Sequence, residues 1–456
     1  MADRKLIRNG TVVTATECFA ADVLVEDGII AAIGQGLGAE EVIDASGLLV
    51  MPGGIDVHTH MELPVAGTVS ADDFFTGTVA AAHGGTTTII DFAEPADGQS
   101  LRAALEARVA AARPKVVVDY GLHMTIKRAD EPTLTEMAAL VEAGVTSFKC
   151  YMAYAGLMLD DEALYKVLER SQRVGGRVSV HAENGHIIRH LVAKHVAEGK
   201  LTPVWHARSH PPEMEAEAVG RALDLAHLAK ASLYVVHVSA ASSLARIRAA
   251  QAQGSTVWAE TCPQYLVLSQ ELYEEPGLGA TRYVMSPPLR TRSDQAALWR
   301  GLGTGSVQTV ATDHCPFNLH GQKDAGRENF SLIPNGVGGV ETRLPLLYHH
   351  GVNAGRISVN RFVDLVATTP ARLFGLAGRK GCVAPGFDAD IVLWDPGKEV
   401  TLSVSTLHQN VDYTPYEGDR VRGYPVLTML RGKVIVRDGR FVGKRGAGQF
   451  LRRAAL

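Results

Sequence analysis

The sequence predicts an α/β fold in which a (β/α)8 TIM barrel is joined to a second, smaller β-sandwich domain formed by both chain ends. The middle of the 456-residue chain alternates apolar, β-branched runs with Ala-, Leu- and Glu-rich helical stretches. Runs such as VVVDYGLHM (116–124) and LYVVHV (233–238) are apolar on both faces, as in a parallel sheet covered by helices. Eight such strand–helix units within roughly 250–400 residues indicate a barrel. A doubly wound open sheet is disfavoured because no G-x-G-x-x-G follows the first strand.

The predicted barrel occupies residues 54–370. Its eight strand segments are 55–60, 85–92, 116–124, 145–150, 177–183, 233–238, 255–261 and 307–313. The clearest helical segments between them are 101–113, 161–174, 213–229 and 240–252. Hydrophobic cores stop growing beyond roughly 250–300 residues, so a chain of this length is expected to divide into domains.

The two chain ends, residues 1–53 and 371–456, are predicted to form the second domain together. Both consist of short strands joined by tight turns, and Asn9-Gly10 and Asp27-Gly28 tolerate the positive φ of a type I′ turn. The last part, 431–456, carries eight basic residues and one acidic residue. We interpret it as a solvated or subunit-packing tail and not as a nucleic-acid arm.

Composition narrows the class of protein. The chain has 45 Lys and Arg against 49 Asp and Glu, a net charge of −4, which argues against nucleic acid as a partner. No run approaches the ~18 apolar residues of a membrane span, and the N-terminus lacks the apolar region of a secretory signal. The five cysteines are odd in number and far apart, as in a reducing compartment. We therefore expect a cytoplasmic enzyme without membrane or nucleic-acid partners.

Five metal-binding side chains stand at predicted strand ends. His58 and His60 lie two residues apart on the first strand, so both face one side and can bind one ion. His181, His237 and Asp313 end the fifth, sixth and eighth strands. A single core histidine bonded to a carbonyl is commonplace, but these residues share the face where barrel active sites are built. Because a buried carboxylate needs a cation or strong donor, the pattern predicts a metal site.

Lys149, at the end of the fourth strand, has two interpretations. A buried ammonium is costly to desolvate and tends to lose its proton. The neutral amine can add carbon dioxide and become a carbamate, a carboxylate-like group able to bridge two cations. The alternative is a structural ion pair with Asp91 or Asp313, and the sequence favours neither. Asp91 ends the second strand, and His123 lies on the third with a core or supporting role.

Several motifs together resemble those of the cyclic amidohydrolases, and among these the hydantoinase/dihydropyrimidinase branch, bacterial D-hydantoinases in particular. They are PGGIDVHTHMELP (52–64), SFKCYMAY (147–154), VSVHAENG (178–185), VVHVS (235–239), ETCPQYL (260–266), SPPLR (286–290), ATDHCPF (311–317) and VDYTPYEG (411–418). The resemblance spans nearly the whole chain. It implies a binuclear zinc site in which manganese or cobalt could substitute. The implied ligands are His58, His60 and Asp313 for one ion, His181 and His237 for the other, and carbamylated Lys149 together with hydroxide as bridges.

The resemblance also implies the reaction. Hydroxide attacks the cyclic amide of 5-substituted hydantoins and/or dihydropyrimidines and yields N-carbamoyl amino acids, with the D enantiomer preferred. Tyr154 would stabilise the oxyanion and Asp313 would pass a proton to the ring nitrogen. The backbone at Ser286 and Asn335 would hold the amide edge of the ring. Family members usually form homotetramers and take small cyclic amides or ureides.

Two loops after ligand-bearing strands, 61–68 and 151–159, are candidates for contact with the substrate's 5-substituent. They offer large apolar side chains at Leu63, Tyr151, Leu157 and Met158. These side chains either form a lid over the substrate or simply pack the loops onto the barrel.

Three other functions compete with this interpretation. Dihydroorotase needs a cationic partner for its substrate's carboxylate soon after the H-x-H motif, and Met61-Glu62-Leu63-Pro64 supplies none. An allantoinase-type enzyme differs in the polar lining of its pocket and stays open as an alternative. A non-catalytic dihydropyrimidinase-like scaffold protein would have lost metal ligands, whereas all six ligand positions are intact here.

Overall fold

The structure, a computed structural model, describes residues 3–65 and 67–456. Strands and helices are numbered along the chain. The strands are β1 (Arg4–Arg8), β2 (Thr11–Val13), β3 (Cys18–Ala20), β4 (Asp22–Glu26), β5 (Ile29–Gly34), β6 (Glu41–Asp44), β7 (Leu49–Pro52), β8 (Gly54–Thr59), β9 (Pro64–Val65), β10 (Thr68–Val69), β11 (Thr86–Ala93), β12 (Asp119–Thr125), β13 (Ser147–Tyr151), β14 (Arg177–His181), β15 (Leu233–Val235), β16 (Val257–Thr261), β17 (Thr309–Val310), β18 (Ile391–Thr401), β19 (Arg420–Leu430), β20 (Lys433–Arg437) and β21 (Arg440–Phe441).

The α-helices lie mainly between the strands of the middle region. They are α1 (Phe74–His83), α2 (Leu101–Ala112), α3 (Glu131–Glu142), α4 (Asp161–Val174), α5 (Gly185–Ala197), α6 (Val204–Ser209), α7 (Pro212–Leu228), α8 (Ala241–Ala252), α9 (Pro263–Val267), α10 (Arg292–Thr304), α11 (Arg343–Leu347), α12 (Val359–Val363) and α13 (Thr369–Leu373). Helix α4 shows why these bounds follow from sequence: the Asp160 side chain accepts from Ala163 N–H at its start, and Gly175 ends it with a φ of 71°.

Eight parallel strands form the barrel, in the order β8-β11-β12-β13-β14-β15-β16-β17. The last strand closes onto the first where His60 N–H donates to the carbonyl of His314 at 2.8 Å. Thr59 and His314 form a parallel bridge at the same place. The predicted (β/α)8 barrel is therefore confirmed.

The sixth and eighth barrel strands each end three residues earlier than predicted. The sixth ends at Val235 and the eighth at Val310, not at 238 and 313. The backbone leaves the sheet there because His237 and Asp313 adopt positive φ values of 39° and 53°. Non-glycine residues in this region are strained and cluster at functional sites. The side chain and backbone of Thr312 anchor the turn by donating to Asp56 at 2.7 and 3.1 Å.

The two chain ends meet in a second, smaller domain, as predicted. A four-stranded sheet, β5-β4-β1-β6, faces a seven-stranded sheet, β21-β20-β19-β18-β7-β2-β3. The ends join where β7 pairs antiparallel with β18, with Leu49 opposite Trp394. Apolar side chains of both sheets share one core, which makes the domain a β-sandwich. Among its turns, Asp27-Gly28 has the positive φ values expected from sequence.

The last residues of the chain lie against the N-terminal ends of barrel strands. Leu451 N–H donates to the carbonyl of Tyr120 at 2.7 Å, and Arg453 N–H donates to that of Gly144 at 3.0 Å. Arg453 is 3% exposed, so this basic residue belongs to the protein interior and not to a solvated arm. None of the helices in the described residues is both long and apolar enough to cross a membrane.

Candidate metal centre

The predicted ligands converge on one cavity at the C-terminal ends of the barrel strands. The cavity has a volume of about 460 Å³. Its walls include all six predicted metal-site residues, namely His58, His60, Lys149, His181, His237 and Asp313. A cleft of this size, at this face of a barrel, is the usual position of an active site.

The first group of candidate ligands consists of His58, His60 and Asp313. The Oδ1 atom of Asp313 lies 3.1 Å from His58 Nε2 and 3.0 Å from His60 Nε2. Although burial alone would raise it, His58 and then His60 hold the pKa of Asp313 well below its usual range. The three side chains thus present an ionised oxygen and two imidazole nitrogens to one point, a donor set that fits a divalent metal.

The second group consists of His181 and His237. Their Nδ1 and Nε2 atoms face each other at 2.9 Å. Burial lowers the pKa of His181 and holds that of His237 well below the usual value. Both rings are therefore neutral, the form in which imidazole binds a metal.

Lys149 also lies in the wall of this cavity and is 1% exposed. Burial lowers its pKa to about 8, although the carboxylate of Asp313 opposes the shift. Its Nζ atom lies over the rings of Phe92 and Tyr151, at 5.2 and 5.1 Å from their centroids. Asp91 forms its ion pair with Arg108 instead. The arrangement disfavours the Lys149–Asp91 pair and leaves an amine that deprotonates readily.

Two buried glutamates that sequence reasoning left without a role orient the histidines. Glu260 Oε1 accepts from His58 Nδ1 at 2.7 Å and from the His237 backbone N–H at 3.0 Å. Glu183 Oε2 lies 2.9 Å from His181 Nε2. These contacts place the proton on the outer nitrogen of each ring and leave His58 Nε2 and His181 Nδ1 free to bind metal.

A signal for Glu260 was present in the sequence. It lies near the end of the apolar strand β16 and, like Asp313, is a strand-end carboxylate that needs a partner when buried. Glu183 follows His181 by two residues and could have been assigned by the same argument.

The predicted substrate-contacting residues form a connected group on one side of the cavity. The Tyr154 phenol lies beside Ser286, and Asn335 Nδ2 donates to Ser286 Oγ at 3.1 Å. The Tyr154 ring centroid is 4.9 Å from that of His181. Burial raises the pKa of Tyr154 well above its usual value, so the phenol keeps its proton and can donate it in a hydrogen bond.

The four predicted lid residues are not all in the cavity. Leu63, Tyr151 and Leu157 line it, whereas Met158 is not among the lining residues. The Met158 sulfur instead lies against Gly185. In the first loop, strands β9 and β10 form a short hairpin, and Ala66, which belongs to the predicted segment, lies outside the described residues. Two charged residues that the sequence did not suggest, Glu94 and Lys127, also line the cavity.

The two residues without an assigned role support the strands beneath the site. Asp91 accepts from Thr59 Oγ1 at 3.0 Å and from the Met61 backbone N–H at 2.9 Å, so it fixes the chain around His60. His123 is buried and lies 2.6 Å from Ser147 Oγ and 2.9 Å from the carbonyl of Val57. His123 therefore bridges strands in the core.

Comparisons with known proteins agree with this geometry. The amidohydrolase family model matches residues 49–435. A D-hydantoinase of Geobacillus stearothermophilus is 48% identical over 454 residues, covering 99% of this chain and 96% of its own length. The crystal structure of a D-hydantoinase from Bacillus sp. AR9 aligns with a TM-score of 0.97 at 50% identity, covering 99% of both chains. The crystal structure of a dihydropyrimidinase from Brevibacillus agri NCHU1002 aligns with a TM-score of 0.98 at 48% identity, again covering 99% of both chains.

Proposed function

The chain belongs to the amidohydrolase family, and we propose that it is a binuclear metal-dependent hydrolase that opens cyclic amides. The proposed substrates are 5-substituted hydantoins and dihydropyrimidines, and the products are N-carbamoyl amino acids. The observation that carries the proposal is the convergence of two ligand groups beside a buried lysine inside one cavity. The names of relatives that span almost the whole chain support the same substrate class.

We propose that zinc occupies the site, with manganese or cobalt as substitutes, since imidazole and carboxylate donors suit all three. One ion would be held by His58, His60 and Asp313, and the other by His181 and His237. When bound, the two cations supply a water of lowered pKa and Lewis-acid polarisation of the amide carbonyl.

Lys149 would bridge the two ions as a carbamate. Its deprotonated Nζ forms a bond to the carbon of carbon dioxide, and the amine loses a further proton to solvent, which leaves a carboxylate. The lowered pKa of about 8 supports this step because a useful fraction of the amine is neutral near pH 7. A carboxylate at this position would also supply negative charge beside the neutral imidazoles of His181 and His237.

Proton transfer is assigned to Asp313. Its low pKa keeps it ionised and able to accept a proton from the attacking water. The side chain is 18% exposed and reaches the cavity, where it can pass that proton to the leaving ring nitrogen. Its fixed contacts with His58 and His60 hold it in position between these two tasks.

Tyr154, Ser286 and Asn335 would bind the substrate. The protonated phenol of Tyr154 is a donor for the developing oxyanion. Ser286 and Asn335, joined by their 3.1 Å hydrogen bond, offer backbone groups for the amide edge of the ring. An amide edge is common to hydantoins and dihydropyrimidines, so these contacts alone do not separate the two.

The D preference is assigned to the apolar wall. Leu63, Tyr151 and Leu157 line the cavity and would accept an aromatic or alkyl 5-substituent in one orientation. Shape selection of this kind is worth about 1–3 kcal/mol per misplaced group.

The oligomeric state and the compartment are also part of the proposal. The resemblance to the family supports a homotetramer. Five unpaired cysteines support a reducing compartment, for which we propose the cytoplasm.

An allantoinase-type activity is the second candidate. Allantoin carries a polar ureido group at the ring position where a hydantoin carries its 5-substituent, and Glu94 and Lys127 in the cavity wall could bond to it. A non-catalytic scaffold role is disfavoured because all six ligand positions are present and face one cavity.

Turnover measured side by side on dihydrouracil, allantoin and each enantiomer of 5-phenylhydantoin tests the proposal. We expect the D-hydantoin and dihydrouracil to be hydrolysed and the L-hydantoin to react more slowly. Faster turnover of allantoin than of every other substrate would replace the hydantoinase assignment. The lack of turnover on all four, in protein carrying two divalent ions per chain, would refute cyclic amide hydrolysis.

A further inference from the structure

A second group of ligand-type side chains lies outside the cavity, where the barrel meets the C-terminal part of the chain. His83 ends α1, Glu341 lies just before α11, and His408 belongs to the segment between β18 and β19. One ligand atom from each of the three lies within 4.8 Å of the others. Imidazole, imidazole and carboxylate form a donor set found in three-residue zinc sites.

His83 has an unsatisfied nitrogen. The residue is 4% exposed, and its Nε2 atom is buried without a hydrogen-bond partner among the described residues. Its ring stacks on that of His408, with centroids 3.4 Å apart and an angle of 12° between the planes. A buried polar atom without a partner is rare in folded proteins and calls for a ligand or an ion.

Glu341 supplies a carboxylate that has no lysine or arginine beside it among the described residues. It is fully buried, and its oxygens accept from His408 Nδ1 at 2.8 Å and from the His408 backbone N–H at 2.7 Å. The phenol of Tyr424 lies beside the same carboxylate. Among the described residues, neither lysine nor arginine forms an ion pair with Glu341, and a buried carboxylate without a cation is costly.

We propose that His83, Glu341 and His408 bind a third divalent cation, with zinc as the best fit. The His408 side chain is 37% exposed, so its ring can turn until one of its nitrogens and His83 Nε2 point to the same ion. Water completes the coordination from the open side. Hard cations such as calcium and magnesium prefer oxygen ligands, so a site with two imidazole ligands does not suit them.

The site would act as a clamp between parts of the chain that are far apart in sequence. It joins the end of α1 and the start of α11 to the segment that contains His408. The same segment contacts the barrel again where the Asn410 backbone N–H donates to Asp72 at 2.8 Å. Asp72 in turn lies 3.0 Å from His314, the neighbour of Asp313. A cation at the clamp therefore fastens a segment that contacts Asp72, the partner of the residue that follows Asp313 in the chain.

Zinc content per chain tests the proposal, with His408→Gln as the variant and His190→Gln as the matched control. His190 is exposed on α5, so its substitution removes a surface imidazole remote from this cluster. After equilibration with Zn²⁺ and desalting, we expect the wild type and His190→Gln to hold about one more zinc ion per chain than His408→Gln. Equal zinc content in all three proteins would overturn the proposal.

The comparison does not depend on the number of ions at the main centre, because that number is common to all three proteins. Anomalous diffraction at the zinc edge gives a second readout on the wild-type protein. A peak between His83 and Glu341 supports the clamp, and the lack of a peak in Zn²⁺-soaked crystals overturns it. The His408→Gln variant is expected to keep the wild-type kcat, which separates this site from the catalytic one.

Discussion

Replacing Glu260 by glutamine removes a buried charge while keeping the shape of the side chain. The amide oxygen can still accept from His58 Nδ1 and the His237 backbone N–H, and Tyr234 can accept from the new NH2 group because its own hydroxyl lies 2.5 Å from Thr309 Oγ1. We therefore expect Glu260→Gln to fold normally. What is lost is the negative charge that makes His58 basic.

The size of the effect follows from the pKa of His58. Burial alone would lower it, but the carboxylates of Glu260 and then Asp313 raise it from 6.5 to about 9. At about 1.4 kcal/mol per pKa unit, this net rise corresponds to roughly 3 kcal/mol in favour of the positively charged ring. Outer carboxylates of metal-bound histidines are typically worth about 10–100-fold in metal affinity, an effect of the same order of magnitude.

Zinc affinity is measured by competition with a chromophoric chelator. We expect Glu260→Gln to bind zinc about 10–100-fold more weakly than the wild type. Tyr234→Phe is the matched control, since it removes the 2.9 Å hydrogen bond to the other oxygen of Glu260 but leaves the charge beside His58. Unchanged affinity in Glu260→Gln, or an equal loss in Tyr234→Phe, would refute the assignment of Glu260 as the residue that orients and activates His58.

Four further outcomes are expected. Lys149→Ala loses metal and activity, and added short-chain carboxylate with metal restores a little turnover; full zinc content and full activity in this variant would exclude the bridging role. Asp313→Asn lowers kcat by about 10²-fold or more while the far-UV spectrum stays unchanged, and a change confined to KM would point to binding instead. Trimming Leu63 or Tyr151 to Ala changes the D/L ratio on a substituted hydantoin but leaves dihydrouracil turnover much as before, whereas equal losses on all substrates would rule out a lid. The pKa of His58 in the metal-free fold is raised from 6.5 to about 9, so protonation of His58 stabilises that fold fully below pH 6.5. Unfolding by denaturant should show this stabilisation being lost as the pH rises through about 9, while zinc affinity increases over the same range. If neither the free energy of unfolding nor the zinc affinity changed with pH, the raised pKa would be contradicted.

The barrel and the position of its proposed metal site can be predicted from local patterns in the sequence. Apolar runs separated by helical stretches predict a parallel sheet, and parallel strands bring their C-terminal ends to one face. Residues at those ends, such as His58 and His181, therefore meet although they lie far apart in the chain. This prediction requires only the face of the barrel at which each strand ends, so an error of a few residues in the bounds of a strand leaves it unchanged.

Those errors have a physical cause. The runs that contain His237 and Asp313 continue to be apolar, so their periodicity predicts strand up to the ligand itself. The backbone instead turns to positive φ at both residues. Such a conformation is imposed by tertiary contacts, for example those of Thr312 with Asp56, and leaves no mark on the local pattern.

Contacts between side chains that lie far apart in the chain could not be predicted from the sequence. The carboxylate of Glu260 reaches His58 from a different strand, and its partner is known only when strand order and register are fixed. The cluster of His83, Glu341 and His408 draws on three segments without a shared motif, so neither spacing nor periodicity indicates it. Met158 shows the converse: its apolar side chain suggested a lid, but its sulfur lies against Gly185.

The dependence of ring opening on bound metal is the most direct test of a binuclear hydrolytic centre in this protein. Metal-free His408→Gln protein, in which the proposed clamp cannot contribute to the count, is titrated with Zn²⁺ while hydrolysis of D-5-phenylhydantoin is followed. We expect a rate near zero without metal and a plateau at about two zinc ions per chain, the number that the two ligand groups can hold. Full activity in the metal-free protein, or a zinc-loaded protein that opens neither this ring nor dihydrouracil, would contradict the assignment.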